Sequence, residues 1–184
     1  MELPKFKYIN DNIRDKFFEH NINDLACECC GIVSPLVYTG MFYAEENVEI
    51  LCPECVSNGK AAEKFCGEFY DYWSDIPKTM PKESLHELQH KTPSYRGQQQ
   101  EYVPHCCNDF CKFIDYVGWR DIQKRGLENN LVFCCYNNKI IENDKKYNFI
   151  EANKEKLRKK GDFRGYLFQC LHCNSYHLHA DMAC

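Results

Sequence analysis

Two short cysteine runs carry the clearest chemistry in this chain. Cys27-Glu28-Cys29-Cys30-Gly31 is followed about two dozen residues later by Cys52-Pro53-Glu54-Cys55. Each holds a C-x-x-C pair, a turn that aims two sulfurs at one point, and two such pairs at this separation have metal-site spacing. Thiolates are good ligands for tetrahedral zinc, and four of them leave no open coordination position. Gly31 suits a turn whose last residue needs positive φ. The alternatives are buried free thiols or a disulfide framework. The expected ligands here are Cys27, Cys30, Cys52 and Cys55.

A third C-x-x-C, Cys170-Leu171-His172-Cys173, supplies half a tetrahedron. Its partners are sought in His105-Cys106-Cys107-Asn108-Asp109-Phe110-Cys111. Adjacent Cys106 and Cys107 do not easily bind one ion together, so Cys107 and Cys111 are expected to join Cys170 and Cys173. Cys106, His105, His177 and Cys184 remain alternatives. Spacing also allows crossed pairing, with Cys52 and Cys55 sharing an ion with Cys170 and Cys173. Two zinc ions are the expectation, although four thiolates suit iron as well.

A third pattern is His86-Glu87-Leu88-Gln89-His90, which matches H-E-x-x-H. On a helix the two imidazoles share a face, with the glutamate as general base of a metalloprotease. Pro81 and Pro93 box this helix, no ordered third ligand follows, and Glu101 is the nearest substitute. A solvated helix face carrying two histidines is the expectation, with a zinc hydrolase as the alternative. The zinc deaminase pattern fails, because Pro53 lies inside its cysteine pair and no H-x-E exists.

The elements that must position these residues follow from periodicity. Residues 3–9 alternate like a strand, Leu36 to Tyr43 reads as a strand bent at Gly40, and residues 48–51 deliver the second knuckle. A helix is expected over 60–72, with Cys66 in its packed face. A short helix over 82–90 is stopped by Thr92-Pro93. Helices over 119–125, 127–137 and 147–160 follow, with Cys134 and Cys135 packed in the second of these. Residues 166–169 and 175–181 form the strands around the last knuckle. The class is α+β, with zinc-ribbon-like β-hairpins and helices packed around them. Modules over 1–76 and 77–184 are expected, or one continuous domain.

Fourteen cysteines in 184 residues, with no apolar leader after Met1 and no run of membrane-span length, point to a reducing cytoplasm. There, C-x-x-C pairs read as metal ligands before disulfides. The net charge of −4 lacks the basic footprint of a nucleic-acid binder. The basic run from Lys154 to Lys160 reads as a solvated helix face. A nucleic-acid-binding zinc ribbon is therefore only a further alternative.

Five stretches, in order along nearly the whole chain, carry a family resemblance. They are Leu3 to Tyr8, Cys27 to Gly31, Leu51 to Cys55 with Asn58 to Phe65, Thr92-Pro93 through Glu101, and Phe168 to Cys173. With them the chain resembles the CbrC family of small bacterial C-x-x-C proteins. The resemblance implies a protein similar to one linked to tolerance of a nuclease colicin. The expected function is thus a non-catalytic, zinc-stabilised immunity or tolerance factor acting by protein–protein contact, its partner a bacterial nuclease toxin. Neither nucleic acid nor membrane is an expected partner. Complementary charge favours association of an acidic protein with a basic nuclease, and Tyr70, Asp71, Tyr72, Trp73 and Asp75 form one candidate contact patch.

Overall fold

The computed structural model describes residues 2–71, 76–99, 101–134 and 150–183. The chain divides into two compact units: Met1–Tyr72 with Lys82–Arg96, and Trp73–Pro81 with Gly97–Cys184. Both combine helices with small sheets, so the α+β expectation is met.

The first unit has little regular structure for its size. A 3-10 helix, Asp11–Phe17, leads into β1 (Phe18–His20), which pairs antiparallel with β2 (Leu36–Tyr38). Helices α1 (Pro53–Ser57), α2 (Lys60–Phe65) and α3 (Lys82–Lys91) complete it. Its core is aromatic. Phe6 stacks on Phe18 at 6.0 Å, Tyr38 meets Phe69 edge-on at 5.3 Å, and Phe42 lies 4.9 Å from Phe69. The Tyr38 hydroxyl accepts the Ser94 N–H at 3.0 Å and donates to the Met41 carbonyl at 2.9 Å. This places the phenol against Gly40, where a Cβ would overlap the ring. The segment after β2 leaves the sheet here, so the expected strand to Tyr43 stops at Tyr38.

Two expectations in this unit are corrected. Residues 3–9 form no strand; they run extended into a turn while Phe6, Tyr8 and Ile9 fill the core. The helix expected over 60–72 ends at Phe65, because Cys66 takes a left-handed conformation (φ 47°) as its C-cap. Cys66 is therefore exposed rather than packed. The chain then extends, and the Phe69 N–H donates to the Gln89 carbonyl at 2.7 Å. That bond, with the Tyr70 hydroxyl on the Pro93 carbonyl at 3.1 Å, ties α3 into this unit.

The second unit is built on a sheet of order β5-β7-β8-β6. The hairpin β3 (His105–Cys106) and β4 (Asp109–Phe110) precedes β5 (Lys112–Val117). Then come α4 (Trp119–Lys124), β6 (Leu131–Cys134), β7 (Phe163–Gln169) and β8 (Tyr176–Met182). β7 is antiparallel to both β5 and β8, whereas β6 runs parallel to β8. Strand side chains alternate between faces. One face packs Val117, Leu167, Leu178 and Ala180 against Trp119, Ile122, Ile150 and Leu157. The other carries cross-strand aromatic pairs, Phe113 with Phe168 at 5.3 Å and Tyr116 with Tyr166 at 5.8 Å.

In the described part of the helix expected over 127–137, a turn over 128–130 leads into β6 at Leu131–Cys134. Gly126, at φ 66°, breaks the chain after α4, and Leu131-Val132-Phe133-Cys134 is a β-branched and aromatic run that a sheet edge captures. Cys135 and Cys184 lie outside the described residues. Of the expected helix over 147–160, residues 150–153 are helical and a 3-10 turn, Lys154–Lys156, follows before Leu157 turns into the core.

Candidate metal centres

In the first unit the sulfurs of Cys27, Cys30, Cys52 and Cys55 all lie within 4.8 Å of one another. The first knuckle is a tight reversal. The Gly31 N–H donates to the Cys27 carbonyl at 2.7 Å, the Cys27 N–H to the Ile32 carbonyl at 2.9 Å, and Gly31 sits at φ 74°. The second knuckle is a helix start rather than a strand end. Cys52 is the N-cap of α1, Pro53 occupies its first turn, and Cys55 follows one turn on. Proline fits there because the first helical N–H has no partner to lose.

Two side chains join these pieces. The Glu28 carboxylate accepts the N–H groups of Glu49 (2.9 Å) and Ile50 (2.7 Å), tying the knuckle to the segment that delivers Cys52. Lys64 of α2 donates its ammonium to the carbonyls of Glu28 (2.6 Å) and Cys29 (3.0 Å). Neither role is legible in sequence, since a lone Glu and a helix Lys resemble any solvated pair.

The electrostatics of the four thiols call for a cation. Burial pushes Cys55 up and raises Cys52 to about 11. At Cys27 burial acts in the same sense but is outweighed by the backbone N–H groups of Cys52, Cys30 and Cys29, which hold that thiol below its usual range. Thiols this close cannot all ionise unless a positive ion compensates them. The spacing fits that ion. Metal–sulfur bonds of about 2.3 Å place tetrahedral sulfurs about 3.8 Å apart, and Cys30 and Cys52 are 3.9 Å apart. A disulfide would need about 2.05 Å, and the described cysteines are all free.

In the second unit the four-sulfur group is Cys106, Cys107, Cys170 and Cys173, again within 4.8 Å. Cys106 thus stands where Cys111 was expected. The reason is the β3–β4 turn. Cys107 (φ 51°) and Asn108 (φ 62°) are both left-handed between paired Cys106 and Asp109, the geometry of a tight two-residue hairpin. On a straight strand neighbouring side chains diverge, but the left-handed Cys107 folds back, leaving its sulfur 3.7 Å from that of Cys106. Asn108 was the available signal, being a residue that tolerates this conformation. Cys111 lies beyond the hairpin, fully buried, its thiol pushed up chiefly by burial.

The Cys170–Cys173 knuckle closes between β7 and β8, with the Cys170 N–H on the Ser175 carbonyl at 2.9 Å and Asn174 at φ 60°. Cys106 and Cys173 sulfurs are 3.6 Å apart, again near the tetrahedral edge. Neither group mixes sulfurs from the 52–55 and 170–173 knuckles. His105 and His177 stand outside both groups, and zinc and iron fit four such sulfurs alike.

Ser175, which sequence reading passed over, bonds to this second group. Its hydroxyl lies 3.1 Å from the Cys173 sulfur, 3.7 Å from that of Cys106 and 2.9 Å from His177 Nε2. His177 Nδ1 in turn faces the Cys134 sulfur at 3.5 Å. One hydroxyl proton serves one acceptor; donated to a Cys173 thiolate, it leaves the Ser175 oxygen to accept from His177 in its Nε2–H tautomer. Cys173 is drawn down to about 6, first by the Ser175 hydroxyl and then by its backbone N–H. Cys107 is pushed up to about 12, first through its contact with Cys173. Ser175→Ala is expected to weaken metal binding at this group by about 10–100-fold, the usual cost of losing an outer hydrogen bond to a ligand. Competition with a calibrated chelator measures this, and unchanged affinity at both groups would refute the assignment.

The H-E-x-x-H residues form no such group among the described residues. His86 and His90 rings lie 4.4 Å apart on α3, and Glu87 pairs with Lys91 at 3.7 Å. Of the candidate contact patch, Tyr70 is buried with its hydroxyl on Pro93, whereas Tyr72, Trp73 and Asp75 lie outside the described residues. No helix among the described residues is long and apolar enough to cross a membrane.

No solved structure matches the chain. Among curated proteins it is similar to the UPF0167 protein Mb2317 of Mycobacterium bovis, 30% identical over 183 residues, which is 99% of this chain and 95% of that protein. The UPF0167 protein MT2352 of Mycobacterium tuberculosis matches with the same figures. The UPF0167 protein PA1536 of Pseudomonas aeruginosa is 26% identical over 185 residues, 97% of each chain. Residues 3–182, which include both four-sulfur groups, match the family as a whole, and the chain belongs to the uncharacterised protein family UPF0167.

Proposed function

We propose that this protein is a non-catalytic binding protein held in shape by two zinc ions, and that it acts by protein–protein contact. The observation that carries this reading is the donor set. Each metal group offers four cysteine sulfurs, and a tetrahedral ion with four protein ligands keeps no position for substrate or activated water. The resemblance to the CbrC family supplies the partner class, a bacterial nuclease toxin toward which the protein confers immunity or tolerance. The overall charge of −4 supports a basic partner and gives little to hold nucleic acid.

Elemental analysis of freshly purified, reduced protein tests the core of this reading. Two zinc ions per chain are expected, and Glu87→Gln should leave that number and the fold unchanged. A third ion lost with His86→Ala or His90→Ala would bring back a hydrolytic centre on α3. For the partner, the metal-loaded protein is expected to retain a basic nuclease toxin domain on a column. Failure across a panel of such domains would remove the toxin assignment.

A further inference from the structure

The first metal group has an open side. A cavity of about 350 Å³ lies against it, and Cys30, Cys52 and Cys55 form part of its wall. Ile32 and Val33, from the segment leaving the first knuckle, form its apolar side, and its charged side chains are Glu2, Glu54 and Lys60. Ile32 is 66% exposed and Val33 50%. On the loop before the knuckle, Ile22 is 85% exposed. Asn21 fixes that loop against the hairpin, its amide donating to the carbonyls of Leu25 and Ser34 at 2.8 Å each. Ile32 and Val33, neighbours exposed together at the cavity, are the apolar surface that points to an interaction here.

Charge chooses the occupant. The first unit carries fifteen acidic against nine basic side chains, a formal −6, while the second carries twelve against fourteen, a formal +2. The excess negative charge of the chain thus belongs entirely to the unit with the cavity. Four thiolates around a divalent ion add a further formal −2 in the cavity wall. This last charge rests on the metal-bound reading proposed above.

We propose that this cavity is the docking groove for a basic segment of a protein partner, one that presents an apolar side chain flanked by lysine or arginine. The apolar anchor lies on Ile32 and Val33. The flanking cations meet Glu2, Glu54 and the sulfur of exposed Cys30. An anchor in a desolvated pocket with charges at its rim is the usual division of labour in a protein interface. Nucleic acid would bring phosphates onto a wall in which two carboxylates and the metal-bound thiolates outweigh the single cation, Lys60.

The probe is a labelled peptide of sequence Lys-Leu-Lys-Phe-Lys, blocked at both ends, titrated into the full metal-loaded chain by fluorescence anisotropy. Two controls replace its lysines with glutamate or its apolar residues with serine. Saturable binding of the first peptide and at least tenfold weaker binding of both controls are expected. Glu2→Lys with Glu54→Lys, and separately Ile32→Ser with Val33→Ser, should each weaken binding at least tenfold while metal per chain stays constant. Equal binding to these variants, equal binding of the serine control, or preference for an oligonucleotide would overturn the proposal. So would a concentration-dependent dimer by sedimentation that excludes the peptide, since a second copy would then fill the groove. Absence of bound metal in the purified chain would instead refute the functional reading above, and full metal with no peptide binding would refute the groove alone.

Discussion

Removing the metal from reduced protein is expected to unfold the first unit outright, whereas the sheet of the second unit persists. The first unit is poor in structure that stands alone. Its sheet is three residue pairs, and its helices hold five, six and ten residues. Isolated helices shorter than about 12–15 residues are marginal in water, and so is a lone pair of strands. What joins these pieces is the group of four sulfurs, drawn from one knuckle and from the start of α1. Without the ion, Cys52 and Cys55 are buried thiols beside Cys27, and the knuckles lose their shared centre. Structural zinc contributes about 10–16 kcal/mol in finger peptides, as much as the whole stability of a typical domain, about 5–15 kcal/mol. A strong chelator with reductant should therefore collapse the amide NMR dispersion of residues in the first unit and leave that of β7 and β8. Cys55→Ser, at a position only 2% exposed, should give the same result without chelator. Retention of a cooperative transition in the first unit after complete metal removal would show that its aromatic core suffices.

The sequence carried the first centre and half of the second for a physical reason. A C-x-x-C pair is a local device, since its two sulfurs meet whatever the rest of the fold does. Cys106 and Cys107 are different. Whether neighbours can share an ion depends on the backbone between them, and a left-handed cysteine in a hairpin turn is a result of strand pairing (His105 with Phe110, Cys106 with Asp109). The expectation that neighbours cannot share an ion favoured Cys111, but that residue is fully buried beyond the hairpin. The same limit explains β6. Leu131 to Cys134 is apolar in either state, and its partner is β8, more than forty residues away. Short apolar runs do not announce which neighbour will claim them. The α2 stop is subtler still, because Cys66 at positive φ has no sequence signature of the kind a glycine would give.

The second group should lose its metal first when the folded protein meets a thiol reagent. In the first group Cys27, Cys52 and Cys55 are buried and Cys30 alone is exposed. In the second, Cys107 and Cys173 are exposed, Cys106 is half-buried and only Cys170 is enclosed. Reaction with a mercurial requires access to sulfur, and thiolate character at an exposed site adds to the rate. Titration in the presence of a metal-sensitive dye should show one ion per chain released in a fast phase. The second should follow at least about tenfold more slowly, because only Cys30 is within reach and the other three sulfurs wait on opening of the first unit. The structural cost should also differ. The second group pins a hairpin of two-residue strands to the knuckle between β7 and β8. The four-stranded sheet behind it has its own apolar layer, with Val117, Ile122, Leu167 and Leu178 all fully buried. Cys173→Ser is accordingly expected to lower metal content from two ions to one while the protein keeps a cooperative thermal transition, in contrast to Cys55→Ser. Release of both ions in a single phase, or loss of the sheet with Cys173→Ser, would mean that the two centres stabilise one cooperative structure.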